Sequence, residues 1–133
     1  MKAPMDLSVT RGCHCLAARR RARELTRLYE EKLRRHGLRA TQFSVLAALA
    51  LKGPTPIRKL ADLLGLERTT LTRSVALLER NGWAESDRSG DARERPLRLT
   101  LPGRRKLEAA FPAWKQVQRL VDRQVAQPAP QAR

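Results

Sequence analysis

A mainly α-helical chain with one small β-hairpin is the fold class that three features of the sequence predict. Apolar residues recur at helical spacing through most of residues 14–81, a short segment after Trp83 switches to alternation around a polar loop, and a long one-faced apolar stripe follows Pro102. The 133 residues suit a single domain, and a hydrophobic fraction of 41% is enough for one core. With aromatics at 4%, that core must rest on Leu, Ala and Val.

Residues 1–12 hold Pro4 and Gly12, show no periodicity and are expected to form a flexible arm. From about His14 to His36, Ala18, Ala22, Leu25, Tyr29 and Leu33, with Leu28 alongside, mark one face of a helix whose other faces are charged. Gly37 is its expected stop. Thr41 is a candidate N-cap for a second helix, Gln42 to Leu51, closed by Gly53-Pro54; its apolar residues cover more than one face, a sign of burial. Thr55 and Pro56 suit the cap and first position of a third helix, with Ile57, Leu60, Ala61 and Leu64 as its buried stripe. After Gly65, a fourth helix is expected from about Arg68 to Asn81, with Leu71, Val75 and Leu78 inward. Two short helices joined by a tight Gly-containing turn make a helix-turn-helix.

Ala84–Arg88 and Pro96–Leu101 read as strands flanking the charged loop 89–94. Pro102 opens the last helix, on which Leu107, Ala110, Phe111, Trp114, Val117, Val121 and Val125 share a face over about five turns. Pro112 is expected to kink it, and residues 126–133 read as a disordered tail. A hairpin directly after a helix-turn-helix is the layout of a winged helix-turn-helix. The expected domain is 13–125, a lobe at about 41–101 held between long helices at about 13–36 and 102–125.

The net charge of +15 points to a polyanion as partner. Its distribution is uneven: +7 over residues 11–39, +2 over 40–97 and +6 over 98–133. Any reading of base sequence by the middle of the chain must therefore use a few placed side chains. The outward face of the fourth helix offers Arg68, Thr69, Thr72, Arg73 and Ala76, with Thr70 at its rim. Arg can pair with guanine through two hydrogen bonds, Thr can meet a phosphate or a thymine methyl, and a helix start favours phosphate. Arg88, Arg93 and Arg95 surround the hairpin loop, where they suit the backbone or minor groove of a duplex, with Asp87 and Asp91 placed to orient them. A solvated helix face and a surface ion-pair cluster are the plainer readings of the same residues.

No apolar run approaches the roughly 20 residues of a membrane span, and no signal-peptide core precedes Arg11, so a soluble, cytoplasmic protein is expected. His14 and His36 are the only histidines, and no catalytic constellation forms around them, so neither enzyme nor cofactor is expected. Cys13-His14-Cys15 falls at the start of the first helix beside Arg11, Arg19 and Arg20, a setting that raises thiolate character. A Cys-x-Cys disulfide closes a small, strained ring that is readily reduced, which suits a switch. Inert thiols and a zinc site stay open as alternatives, although three adjacent ligands give poor tetrahedral geometry, and no metal site is expected.

The stretches Gly37-Leu38-Arg39-Ala40-Thr41-Gln42-Phe43, Leu60 to Arg73, Leu78-Glu79-Arg80-Asn81-Gly82-Trp83, Arg88-x-x-Asp91-x-Arg93 and Leu99-Thr100-x-x-Gly103 together resemble the MarR-type transcriptional regulators over roughly residues 13–125. The resemblance implies a homodimeric winged-helix repressor or activator on a short palindrome of double-stranded DNA. Thr69, Thr70 and Arg73 would be its base or phosphate readers, and Arg93 its minor-groove wing residue. Several such regulators sense oxidants through a cysteine near the start of the first helix; others take a small-molecule effector between the dimer helices and the lobe. Two departures stand out. Ser86 replaces the usual Asp two places before Arg88, and Gln127-Pro128-Ala129-Pro130 takes the place of a further helix that knits the subunits. Dimerisation is thus expected to set Leu25, Leu28 and Tyr29 against Leu107, Phe111, Trp114, Val117 and Val121, with intramolecular core as the competing role for that stripe. A non-specific basic nucleic-acid binder is the alternative function.

Overall fold

Helical periodicity and alternation become, in a computed structural model that describes residues 2–87 and 95–126, the helices α1 (His14–Leu33), α2 (Ala40–Lys52), α3 (Ile57–Leu64), α4 (Arg68–Arg80) and α5 (Leu101–Ala126), with strands β1 (Thr55–Pro56), β2 (Ala84–Ser86) and β3 (Pro96–Leu99). The chain is mainly helical, as the sequence predicts, and the strands form one antiparallel sheet in the order β1-β3-β2. Leu38, Phe43, Val45, Leu46, Leu49, Leu60, Leu71, Val75, Leu78, Ala84 and Leu97 close a core inside the lobe, sealed at the α1 end by Leu33.

Several local expectations are corrected. Within the expected arm, Leu7–Gly12 form a 3-10 helix, because Asp6 caps it by accepting from the Ser8 backbone at 3.0 Å and the Ser8 hydroxyl at 2.6 Å. The α2 cap is not Thr41. The helix starts at Ala40, and Gln42, buried at its third position, accepts from the Arg39 N–H at 2.9 Å, the bond by which a third-position Gln reaches back to the N-cap backbone. Thr55 is not a helix cap either: it pairs with Leu97 across β1 and β3, so the expected hairpin gains a third strand. Its hydroxyl donates to the Gly53 carbonyl at 2.8 Å, which satisfies a buried polar group where the chain turns. β2 and β3 are shorter than expected, since Leu101 already belongs to α5.

Gly37 and Gly65 sit at φ +69° and +61°, left-handed positions that stop the preceding helical segments and set the α1–α2 and α3–α4 corners. Pro112 lies inside α5 without ending it; both it and Glu108, whose carbonyl loses its helical donor, are exposed. Of the expected tail over residues 126–133, Ala126 is the last residue of α5, and residues 127–133 lie outside the described residues.

Candidate nucleic-acid interface

Burial on one side of α4 determines what its other side presents. Leu71, Val75 and Leu78 are buried at helical spacing, which leaves Arg68, Thr69, Thr70, Thr72, Arg73 and Ala76 exposed. The turn before it is tight: the Leu66 N–H donates to the Ala61 carbonyl at 3.0 Å, and Glu67 enters the helix in extended conformation. Two arginines and three threonines therefore line the first turns of a solvent-facing helix. They are not equivalent, because the Thr72 hydroxyl donates to the Arg68 carbonyl at 2.7 Å. Its proton is spent on its own helix, so Thr72 offers an outside group only its methyl and oxygen lone pairs.

At the wing, Arg95 is exposed; Arg88 and Arg93, with the rest of the loop 88–94, lie outside the described residues. Ser86, the departure from the family pattern, has a structural role: its hydroxyl donates to Glu79 Oε1 at 2.5 Å and ties the wing's root to the last turn of α4. Glu85 and Arg98, directly opposite across β2 and β3, form an ion pair at 2.5 Å. Nothing in the sequence ranked Glu79 or Ser86 as positioning groups, although Ser86 facing Leu97 in the sheet is a register that a hairpin alignment would give.

The expected dimer stripe divides. Val117, 2% exposed, is enclosed within the single chain and is core rather than contact surface. Leu107, Trp114 and Tyr29 are half-buried and pack on the lobe's core. Trp114 stacks on Phe43 and on Phe111, with ring centres 5.8 and 5.9 Å apart, and lies 6.4 Å from Tyr29. The Tyr29 hydroxyl also donates to Gln118 Oε1, joining α1 to α5. Burial first, and then the charge of Asp122, hold that phenol above the usual tyrosine range. Leu25, Leu28 and Val121 are half-buried, whereas Phe111 is exposed, as are Leu16, Leu120 and Val125 further along the same two helices. Between α2 and α5 lies an open apolar recess of about 390 Å3, lined by Phe43, Ala47, Leu51, Leu107, Phe111 and Trp114 among others.

Both cysteines are free and exposed. Cys13 is the N-cap of α1 but makes no side-chain cap, and Cys15 in the first turn accepts from Arg19 Nη2 at 3.5 Å. Among the described residues, no group of three or more His, Cys, Asp or Glu is gathered to hold a metal, and no helix is long and apolar enough to cross a membrane.

A helix-turn-helix followed by a β-wing, carried between two long packed helices, defines the winged helix-turn-helix class. A sequence profile of the MarR family matches residues 36–94. The chain is 34% identical over 87 residues to the HTH-type transcriptional regulator YwoH of Bacillus subtilis; that match covers 65% of this chain and 64% of YwoH, a little under two thirds of the relative's length. The transcriptional regulator MosR of M. tuberculosis is 37% identical, with a TM-score of 0.78 over 86% of this chain and 84% of that one. A MosR structure in complex with DNA is 41% identical over 82% and 80% of the two chains, with a TM-score of 0.74. AbfR of Staphylococcus epidermidis, reduced and bound to DNA, is 30% identical over 84% and 80%, with a TM-score of 0.71. AbfR has also been solved overoxidized and bound to DNA, and with a disulfide formed. The chain belongs to the MarR family of winged helix-turn-helix transcriptional regulators.

Proposed function

We propose that the protein is a sequence-specific transcriptional repressor that binds a palindromic operator in double-stranded DNA as a homodimer and is released when Cys13 and Cys15 are oxidised. The observation that carries the DNA-binding part is the exposed start of α4, where Arg68, Thr69, Thr70 and Arg73 stand over a fully buried Leu71–Val75–Leu78 stripe. A helix anchored in this way can enter a major groove and set its first residues against base edges. Thr72 adds a methyl contact, and Arg88, Arg93 and Arg95 on the wing hold the flanking backbone or minor groove. MosR in complex with DNA and reduced AbfR bound to DNA support DNA binding by this chain.

The redox part rests on two exposed thiols one residue apart at the start of α1, one of them beside an Arg guanidinium. Cys13 is the extended N-cap and Cys15 lies in the first helical turn, so a bond between them closes a small ring across the start of α1. AbfR, solved both bound to DNA when reduced and with a disulfide, supports a thiol switch; its overoxidized DNA complex marks the disulfide as the releasing form to test. The apolar recess between α2 and α5 favours a second reading of the release step, with a small apolar effector acting there.

Selection of binding sites from random DNA, run with thiols kept reduced and again after mild peroxide treatment, tests the reading. The expected result is one palindromic consensus with half-sites about a helical turn apart, lost after oxidation. Enrichment of no consensus under reducing conditions points to the non-specific binder instead. A consensus that survives disulfide formation removes the thiol switch and leaves the recess as the release site.

A further inference from the structure

One corner of the fold is locked more tightly than its place on the surface requires. Gly103, in the first turn of α5, is buried, and a Cβ on it would lie 1.9 Å from the Trp83 carbonyl oxygen, 2.8 Å from its carbon and 3.0 Å from Leu99 Cδ1. The backbone of α5 is thus pressed directly against the backbone that follows α4, a contact only glycine allows. Hydrogen bonds fix the same point from three sides. The Thr100 hydroxyl donates to the Gly82 carbonyl at 2.6 Å and accepts from the Gly103 N–H at 3.0 Å, while the Thr100 N–H donates to the Trp83 carbonyl at 3.2 Å. The Trp83 N–H in turn donates to the Leu78 carbonyl at 2.9 Å, inside the last turns of α4. Above this joint, Lys106 of α5 sits 5.1 Å from the centre of the Trp83 ring, whose far edge reaches to within 3.9 Å of the space beside Gly37 at the α1–α2 corner.

We infer that Trp83, Thr100 and Gly103 form a rigid coupling that holds α4 at a fixed angle to α5 and so sets which half-site spacing the dimer accepts. The inference rests on the operator-binding function proposed above and adds a spacing determinant that does not touch DNA. In a two-fold dimer, the distance and twist between the two recognition helices follow from the angle each lobe makes with the long helices. Each base pair inserted between half-sites rotates one relative to the other by about a tenth of a turn. A lobe that cannot pivot rejects such an operator; a lobe on a loosened joint follows it. Thr100 holds two of the bonds through a single hydroxyl, which makes it the clean point of attack.

The test measures affinity of the full-length protein for the selected operator, for versions with one base pair added or removed between half-sites, and for an isolated half-site. Wild type is expected to lose about tenfold or more on a one-base-pair change. Thr100→Val, nearly isosteric but without the hydroxyl, is expected to lose only about two- to threefold while its half-site affinity matches wild type; Thr100→Ser restores the discrimination. Gly103→Ala is expected to relax spacing further, and melting of each variant confirms that it is folded. A folded Thr100→Val that discriminates spacing as sharply as wild type overturns the coupling alone, as does a loss shared equally by half-site and full operator. Wild type that shows no preference among spacings overturns both the coupling and the two-half-site reading beneath it.

Discussion

Between Leu38 and Leu97 the chain forms most of its core, burying apolar residues from three helices and two strands, with Gln42 and Thr55 as the only buried polar residues among the described ones. Among the described residues, α1 and α5, with 20 and 26 residues, add only Leu33, Ala110 and Val117 to the buried hydrophobic residues, and leave Leu16, Phe111, Leu120 and Val125 exposed. Most of the core lies within the lobe, closed by Leu33 of α1 and Ala110 of α5; the helical pair is buried only where it lies against the lobe. The difference separates a rigid lobe on one side from a scaffold whose outer length leaves apolar surface exposed on the other.

Truncations on the two sides expose that contrast most strongly. Leu71→Ala, which empties a fully buried position under the recognition helix, is expected to cost about 2–5 kcal/mol in urea unfolding. Leu120→Ala, at a position 43% exposed, should change the stability of an isolated protomer by no more than about 0.5 kcal/mol. Its effect should appear instead as a concentration-dependent weakening of the dimer in sedimentation. Equal losses at both positions, independent of protein concentration, would erase the distinction between the two regions.

The same contrast explains what could be read from the sequence. Strong periodicity located each of α1 to α5 to within a few residues, because stripes such as Leu71–Val75–Leu78 and Leu60–Ala61 have no face to offer but the core. Missed features were local decisions between near-equivalent polar partners. Thr41 and Thr55 both carry good capping hydroxyls, yet Gln42 reaches back to the Arg39 N–H, and Thr55 is drawn into the sheet by Leu97. The stripe of α5 stayed open for another reason: one apolar face serves equally as core or as contact, and only tertiary packing shows that Val117 is buried within the chain. At the candidate interface, the exposed residues of α4 were legible from the face opposite the core. The back-bonded hydroxyl of Thr72 was not, because serine and threonine hydroxyls in helices choose between solvent and the preceding turn.

Within the lobe itself, reading and framework should separate by affinity. Arg73→Ala, exposed on α4, is expected to weaken operator binding by about 1–3 kcal/mol and to relax preference at one base pair, with melting unchanged. Arg98→Ala removes an exposed partner of Glu85 and should cost about 0–1 kcal/mol of stability, leaving base preference intact. Binding titrations on operators mutated one pair at a time distinguish the two.

On the scaffold side, the thiols provide the next test. Oxidation should lower operator affinity of wild type by about tenfold, roughly 1.4 kcal/mol, while Cys13→Ser and Cys15→Ser variants bind alike before and after peroxide. A response kept by both single variants would place the oxidant's target elsewhere.

The smallest effect concerns the bond between the two long helices. Tyr29 donates to Gln118, and burial together with Asp122 raises its pKa above the ordinary value of 10.0. Below that value the phenol is protonated in folded and unfolded chains alike, so it adds no pH dependence. As pH rises past it, the unfolded chain releases the proton first while the folded chain still holds it, and stability falls. Between about pH 8 and pH 10.5, wild type should therefore lose slightly more stability than Tyr29→Phe, in which the titration is absent. An identical loss in the two proteins would show that the α1–α5 contact does not depend on this proton.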